Sequence, residues 1–481
     1  MKNSARVLTA VIVLGVAYAA ASWYVGKQAQ ATLQRLVGQA NTRLASVLGP
    51  GARTPDVKLS ISQYKRRVFS SDVTYTLLVN NGDGSSTTYL LSDHLQHGPF
   101  PWEAIKSGNV EPLMAFSRVR LVPSPATQKW FDSLKGLAPI EGVTQIGFSG
   151  KGNSIWQFRR FSLHGNGDSL EFGGGNIDVA FTDNFRNSTT KGAFGKLEYA
   201  STQDNESLDV QGVTLGSATT TTSESGDVTT HSTVGADQFK LQSGDSAPVR
   251  LDKVAISLDT TQRNKRVDGA LRYDFGDIQA GDVNFGSVTA TLKGSNLDVD
   301  ALSALVAEYD RIKARHDVAS DEDFNLTDEE AADLQDKLWV ALGSQPTIAI
   351  DPFVWKTDKG QSTLKLSINL TRPTGSTALG GAMMLLPQIV KQMDLDVSVG
   401  KPMFIQTFSE LQGGMQPRDS AVATGALIFD TYAGRLARAG LATQDQDHAA
   451  THLRYGNNRV NVNGRAMSVT EFVQRVLSAM M

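Results

Sequence analysis

Hydrophobic and polar residues alternate along most of the first half of the chain. From Asp56 onward the pattern has a period of two, as at Val57, Leu59 and Ile61, and again at 73–79. Turn sequences rich in Gly, Asn and Asp, such as residues 80–84, separate these segments. A period of two is typical of antiparallel strands with one face in water. We therefore predict an antiparallel β-rich region over residues 51–300.

Helical spacing dominates afterwards. Residues 296–316 and 326–343 place apolar side chains three and four positions apart, and Thr327 followed by Glu330 is a capping-box signature. Two strands and a hairpin with Gly456-Asn457-Asn458 at its turn are predicted between further amphipathic helices. Strand-rich and helix-rich blocks are segregated along the chain, which predicts the α+β class.

A continuous apolar segment near the N-terminus changes the picture. Residues 7–25 contain no charge and are about as long as a bilayer core is thick. Lys2 and Arg6 precede them, which favours a cytoplasmic N-terminus. A cleaved signal peptide is the alternative, because Ala17-Tyr18-Ala19 resembles a cleavage site. The residues assigned to the predicted membrane anchor are Val7, Leu8, Ile12, Leu14, Trp23 and Tyr24.

Four regions follow from these patterns. They are a cytoplasmic tip and transmembrane anchor at 1–26, a helical stalk at 27–50, the β-rich region at 51–300 and a mixed α/β region at 301–481. The predicted fold is thus an N-terminal transmembrane helix followed by a large antiparallel β-rich periplasmic body with a few packed helices. The stalk could equally be a partner helix or a helix packed on its own domain.

Composition excludes several classes of function. The chain has 481 residues, a formal net charge of −3 and no cysteine. This charge gives no general basic field for nucleic acid, so we expect no nucleic-acid partner. The absence of cysteine excludes disulfides, thiolate metal sites and cysteine nucleophiles.

The most unusual short segment is "DHLQHGPFPW" at 93–102. On a strand, His94 and His97 would face opposite sides, and the glycine and prolines after them would hold the backbone rigid. We therefore predict a structural crossover in which Phe100 and Trp102 press onto a neighbouring surface; the alternative is a binding or catalytic role for His97. His97→Ala should then leave folding intact, and Trp102→Ala should lower the melting temperature. The residues of this motif are His97, Gly98, Pro99, Phe100, Pro101 and Trp102.

Other candidate sites are weaker. His448 and His452 have a spacing that could hold a metal on a helix, but no third ligand is evident. The glycines at 173–175 lack the lysine and helix start of a phosphate loop, so a bulge or turn is predicted. The basic cluster at 65–67 could touch anionic lipid headgroups or be a solvated turn. We assign no catalytic, cofactor-binding or metal-binding residue, and expect no cofactor.

Several stretches together resemble the YdgA-like family of bacterial inner-membrane proteins, a family of unknown function. They are "ASWYVGKQAQ" (21–30), "HGPFPW" (97–102), "FGSVTATLKGSNLDVDAL" (285–302) and "HLRYGNNRVNVNGRAMSVTEFV" (452–473). The resemblance covers essentially the whole chain. It implies an envelope protein with one N-terminal anchor and a large periplasmic part, and it implies no activity.

Two hypotheses about function follow. The first is a non-enzymatic envelope module anchored in the bacterial inner membrane, which offers an apolar face or groove to a lipid or an envelope protein. The second is a periplasmic enzyme that acts on an envelope polymer such as glycan through carboxylates that the sequence does not reveal. An apolar groove without ionisable groups would favour the first, and a cleft with two carboxylates the second. The lipid bilayer is an expected partner, and the many strand edges allow a homo-oligomer.

Overall fold

The computed structural model describes residues 56–480 apart from 81–84, 166, 183–185, 223–224, 317–325, 374–387 and 413–416. It also describes four residues of the predicted stalk, Gln34, Val37, Gly38 and Asn41, all of them helical. The predicted anchor and the rest of the stalk lie outside the described residues. No helix within the described part of the chain is long and apolar enough to cross a membrane.

The chain divides into two compact units. Unit 1 comprises Met1–Ser201 and Thr214–Thr220, and unit 2 comprises Thr202–Val213 and Thr221–Met481. The regions 51–300 and 301–481 were predicted from the alternation of strands and helices rather than from packing, and that division stays a prediction.

Unit 1 is an antiparallel sheet whose first six strands form a meander, each pairing with the next along the chain. The next two strand segments, residues 152–165 and 168–182, are each interrupted once. As a result, the strand at 152–158 (β6) pairs with the strand at 175–182 (β9), and the strand at 161–165 (β7) pairs with the strand at 168–172 (β8). β10 then pairs with both β8 and β9. The strands are β1 (Asp56–Arg66), β2 (Ser70–Asn80), β3 (Ser86–His97), β4 (Leu113–Leu121), β5 (Ile140–Gly147), β6 (Gly152–Phe158), β7 (Phe161–Gly165), β8 (Asp168–Phe172), β9 (Gly175–Thr182) and β10 (Asn187–Ser201).

Glycine explains the interruption between β8 and β9. Gly174 has φ +78°, and a Cβ there would lie 2.8 Å from the carbonyl oxygen of Phe158. No larger residue fits such a close approach in a left-handed conformation. The glycines at 173–175 thus allow a local irregularity of the strand, in agreement with the predicted bulge or turn.

The covered face of unit 1 is built from alternate strand residues and two short helices, α1 (Trp102–Lys106) and α2 (Gln128–Ser133). Trp130 of α2 stacks between Tyr89 and Phe161, with ring centroids 6.0 and 5.6 Å apart. Phe161 in turn lies 5.5 Å from Phe172. Such aromatic contacts add about 0.5–1.5 kcal/mol per pair beyond burial of their area.

Unit 2 is a second antiparallel meander, with helices inserted into two of its connections. Strands β12 to β18 each pair with the next, and β18 pairs with β20. The residues of β11 (Glu206–Thr221) are divided between the two units. The other strands are β12 (Val228–Gln242), β13 (Val249–Arg263), β14 (Arg266–Ala280), β15 (Val283–Asp298), β16 (Thr347–Thr357), β17 (Gly360–Leu370), β18 (Val390–Gly400), β19 (Thr443–Gln444), β20 (His448–Gly456), β21 (Arg459–Val462) and β22 (Arg465–Ser468).

Capping side chains mark the start of three helices of unit 2. Asp298 accepts a hydrogen bond from the backbone of Ala301, and Thr327 and Glu330 form the predicted capping box. Ser468 accepts a hydrogen bond from the backbone N–H of Glu471 at the start of the last helix. The capped helices are α3 (Val299–Arg315), α4 (Asp328–Leu342) and α7 (Val469–Met480), whereas among the described residues α5 (Lys401–Leu411) and α6 (Arg418–Arg438) begin without a capping side chain.

The predicted C-terminal hairpin is confirmed. β20 and β21 are joined by Asn457 and Asn458, whose φ angles of 51° and 59° are those of a tight hairpin turn. Leu453, Val460, Val462 and Met467 form a buried cluster beneath it. A large antiparallel β-rich body with a few helices, as predicted, is therefore the architecture of the described residues.

Candidate functional site

An apolar groove lies between α3 and α4 of unit 2. Its volume is about 480 Å³, within the range of about 300–1,000 Å³ that is common for ligand pockets. Among the described residues, no charged side chain lines it. The lining residues are Leu305, Val306, Tyr309, Leu326, Ala331, Leu334, Gln335, Leu338 and Trp339. We call it the helix-pair groove.

The groove results from the helical period of the two segments. On α3, Leu305, Val306 and Tyr309 share one side, and on α4 Leu334 and Leu338 lie one turn apart. Val306, Tyr309 and Leu326 remain exposed rather than packed. A contiguous patch of exposed apolar side chains often marks a binding surface, whereas single exposed apolar residues do not.

An ionic network joins the two helices away from the groove lining. Glu308 of α3 is buried and accepts hydrogen bonds from the Arg311 guanidinium, and the Arg315 guanidinium lies 3.5 Å from the buried Glu330 of α4. Glu330 also lies 2.9 Å from Nε2 of His316. The hydrogen bond from His316, followed by that from the Thr327 backbone, lowers the pKa of Glu330 to about 2. The network fixes one helix against the other while leaving the groove apolar.

A second cavity in unit 2 is polar. It has a volume of about 520 Å³ and contains two carboxylates, those of Asp277 and Asp358. Asn284 and Gln406 also line it, and Oε1 of Gln406 is buried with no hydrogen-bond partner among the described residues. Hydrogen bonds from Lys359 and Gln406 lower the pKa of Asp358. Asp358 is therefore ionised at neutral pH and cannot serve there as a proton donor.

Unit 1 contains a buried polar network that sequence reasoning missed. Ser71 and His97 lie 3.2 Å apart (Oγ to Nε2), and Asp93 accepts hydrogen bonds from the hydroxyls of Tyr75 and Ser117 at 3.0 and 2.7 Å. All five residues are buried. The signal was present in the sequence, because polar residues occupy inward positions of β2, β3 and β4 where apolar ones are usual.

This network does not have the form of a catalytic centre. The Ser71 hydroxyl and the His97 ring are essentially inaccessible to solvent, and the carboxylate of Asp93 is bonded to Tyr75 and Ser117. Nucleophilic catalysis requires an accessible hydroxyl beside a base that a third group orients. We therefore assign the network to structure.

The structure places the histidines of β3 on opposite faces, as predicted. His97 is 1% exposed, whereas His94 is exposed and forms an ion pair with Asp72 at 2.9 Å. The expectation that Trp102 presses onto a neighbouring surface is wrong, since this side chain is 61% exposed. The reason is that α1 begins at Trp102 and turns Ala104, not Trp102, towards the core.

The motif nevertheless connects two paired strands. His97 ends β3, Gly98 and Pro99 continue the pairing with β4 through backbone hydrogen bonds to Met114 and Leu113, and Pro101 precedes α1. Phe100 is half-exposed, whereas Gly98 and Pro101 are buried. The expectation that His97→Ala would leave folding intact conflicts with the burial of His97 beside Ser71.

His448 and His452 lie on strand β20 rather than on a helix. His452 forms an ion pair with Asp396 of β18, and His448 lies 3.9 Å from Asp445. Within the described part of the chain, no group of three or more His, Asp or Glu residues could hold a metal ion.

The sequence of the chain is similar to a family of bacterial proteins over most of its length. The family model described as "Bacterial protein of unknown function (DUF945)" matches residues 1–470. Protein YdgA of Escherichia coli (strain K12) is 24% identical over 494 residues, covering 98% of this chain and 96% of that protein. The uncharacterized protein YihF of the same organism is 22% identical over 499 residues, covering 97% of each. No solved structure is significantly similar to the chain.

The described residues form an antiparallel β-rich protein with an apolar groove between two of its helices. The chain belongs to the DUF945 family, as the match over nearly its whole length shows. The resemblance to the YdgA-like family that the sequence suggested is thereby confirmed.

Proposed function

We propose that this chain is a single-pass protein of the bacterial inner membrane whose periplasmic body binds lipid without catalysing a reaction. The N-terminus would be cytoplasmic and residues 7–25 would form the anchor. The ligand would place one acyl chain in the helix-pair groove. The observation that carries this proposal is the apolar lining of that groove, with no charged side chain among its described residues.

An acyl chain suits the groove better than an extended peptide. A peptide backbone loses hydrogen bonds to water when it is buried, and it needs partners to replace them. Among its described residues, the polar side-chain groups of the groove are the Tyr309 hydroxyl and the Gln335 amide. An acyl chain has no such requirement and gains about 0.8 kcal/mol for each methylene that it buries.

Binding of a polyene fatty acid, whose fluorescence rises in apolar surroundings, tests the proposal on the full chain in detergent-free nanodiscs. Leu338→Gln places an amide in the groove, whereas Val340→Gln makes the same change on the exposed side of α4. We expect Leu338→Gln to weaken binding and Val340→Gln to leave it unchanged. Equal binding by both variants would refute the groove as the site.

A second substitution guards against loss of folding. Val306→Phe narrows the groove without introducing a polar group, and Val306 is already exposed. Its melting curve should match that of the unmodified chain while binding falls. Native mass spectrometry with organic extraction of bound molecules then identifies the natural ligand; a protein instead of a lipid in that position would favour scaffolding.

The alternative is a periplasmic enzyme acting on an envelope polymer such as glycan. The polar cavity supports it, because it contains Asp277 and Asp358 together with amide side chains that could bind hydroxyl groups. Glycoside hydrolysis commonly uses two carboxyl groups, one of them protonated. Release of reducing ends from purified envelope glycan that is lost in both Asp277→Asn and Asp358→Asn would favour this alternative.

A further inference from the structure

Within the described part of unit 1, most of the exposed large hydrophobic side chains lie at one end of the sheet. Because the strands form a meander, the β1–β2 turn, the β3–β4 connection and the β5–β6 turn all lie at the same end. The pairings Arg66 with Ser71, His97 with Ala115 and Leu113 with Gly147 mark it. We call the exposed residues of these three connections the apolar tip: Val68, Phe69, Phe100, Trp102, Ile105, Val110 and Phe148.

The concentration at this end is unusual. Of the nine exposed large hydrophobic side chains among the described residues of unit 1, seven belong to the apolar tip. One of the other two, Leu137, lies in the β4–β5 connection at the opposite end of the sheet. Single exposed apolar residues need no explanation, but a cluster from three connections indicates a contact surface.

Basic residues lie in the same connections as these apolar side chains. Residues 65–69, 98–112 and 147–151 of these connections contain five basic and two acidic residues. One of the basic residues, Arg67, forms an ion pair with Asp72 of β2 at 2.9 Å. The Lys106 ammonium lies 5.5 Å from the centre of the Trp102 ring. Glu103, one of the two acids, faces Lys106 and Arg118 at 3.6 and 3.5 Å. The basic residues are Lys65, Arg66, Arg67, Lys106 and Lys151.

We propose that the apolar tip docks on the surface of an anionic lipid bilayer. Tryptophan and phenylalanine beside lysine and arginine is the composition of protein surfaces that lie in the interface of a membrane. Each basic side chain near an anionic surface adds about fivefold to membrane affinity. The charge of the tip is therefore complementary to phospholipid headgroups, while its aromatic side chains enter the acyl boundary.

The chain that precedes the sheet is long enough for this placement. The side chain of Asn41 forms two hydrogen bonds with the backbone of Leu59, so the chain at Asn41 lies beside strand β1. From Leu59 to the tip end of β1 the distance is about 23 Å at strand rise. The number of residues between Asn41 and the end of the predicted anchor at Val25 allows a reach of about 24 Å if the rise per residue is that of a helix. A bilayer that holds the anchor is thus within reach of the tip.

The absence of cysteine makes a direct test possible. A single cysteine at Phe148 carries an environment-sensitive fluorophore, and the same label at Leu137 is the control, because the two side chains are 55% and 56% exposed. The full chain is placed in nanodiscs of phosphatidylcholine with phosphatidylglycerol, with a spin-labelled quencher lipid. We expect a blue shift and loss of most fluorescence at position 148 and neither change at position 137.

Charge reversal tests the electrostatic part. Arg66→Glu with Arg67→Glu and Lys106→Glu, or discs of phosphatidylcholine alone, should restore most of the fluorescence at position 148. Should Phe148→Cys fail to fold, Val110→Cys supplies a second label at the tip. Equal quenching at positions 148 and 137 would overturn the proposal. Quenching at position 148 that is the same in anionic discs and in discs of phosphatidylcholine alone would also overturn it. A blue shift at 148 without quenching would mean that a protein or a second copy of the chain covers the tip, and would also overturn it.

The inference does not depend on the helix-pair groove. The tip belongs to unit 1 and the groove to unit 2, and the labels report the bilayer contact whether or not a lipid binds in the groove.

Discussion

The hydroxyl of Tyr75 on β2 donates a hydrogen bond to the carboxylate of Asp93 on β3, 3.0 Å away and shielded from solvent. Ser117 of β4 donates to the other carboxylate oxygen at 2.7 Å. One acidic side chain thus links three neighbouring strands of unit 1. Burial of a carboxylate costs free energy unless such hydrogen bonds offset it.

Asp93 should make the stability of the chain depend on pH. Burial raises the pKa of Asp93 above its ordinary value of 3.8, although the hydrogen bonds from Ser117 and Tyr75 oppose the shift. The folded state then binds this proton more tightly than the unfolded state. The stabilisation is complete below the ordinary pKa and is lost as the pH rises through the raised one.

Denaturation in urea over a pH series measures this contribution. Asp93→Asn removes the titrating group. Between the ordinary and the raised pKa of Asp93, the free energy of unfolding of this variant should therefore vary less with pH than that of the unmodified chain. Asp132→Asn, at an exposed position on α2, is the control and should leave the pH profile unchanged. An unaltered profile in Asp93→Asn would show that this carboxyl is not the source.

His97→Ala should destabilise the protein more than Trp102→Ala, which is the reverse of the expectation from the sequence. His97→Ala leaves a cavity and removes a hydrogen-bond partner of the fully buried Ser71, which should cost about 1–3 kcal/mol. Trp102→Ala removes an exposed ring and its contact with Lys106, at a cost below about 1 kcal/mol. Thermal melting of the two variants decides the matter, and a larger loss in Trp102→Ala would contradict this prediction.

Glu330 should stabilise the helix pair at neutral pH. Its pKa is lowered from 4.5 to about 2 by His316 and the Thr327 backbone, so its contribution is present above the ordinary value and is lost as the pH falls from about 4.5 to about 2. Glu330→Gln should therefore lower the melting temperature at neutral pH and flatten the acid side of the profile. Glu329→Gln, on the exposed side of the same turn, should do neither.

Gly286 should not tolerate a side chain. It has φ +71°, and a Cβ at this position would collide with the backbone of Lys356 on the neighbouring strand. Gly286→Ala should cost more than about 1 kcal/mol. Gly456→Ala, where nothing lies within 4 Å of the added Cβ, should have a much smaller effect in the same denaturation assay.

Local sequence alone determined the elements of this protein and their class. Period-two alternation predicted the strands, the capping box at Thr327 and Glu330 predicted the start of α4, and paired asparagines predicted the last hairpin. These signals act over a few residues, because side-chain direction and backbone hydrogen bonding are set by near neighbours. These local signals therefore depend little on residues that are distant in the sequence.

Tertiary structure decided what those elements bring together. The sequence shows that Phe69, Trp102 and Phe148 are apolar, but only the strand pairing places them at one end of a sheet with their side chains exposed. Likewise, the burial of Asp93 follows from its position on the covered face of β3. Burial depends on partners that are distant in sequence, so a local pattern can predict a side chain's direction but not what covers it.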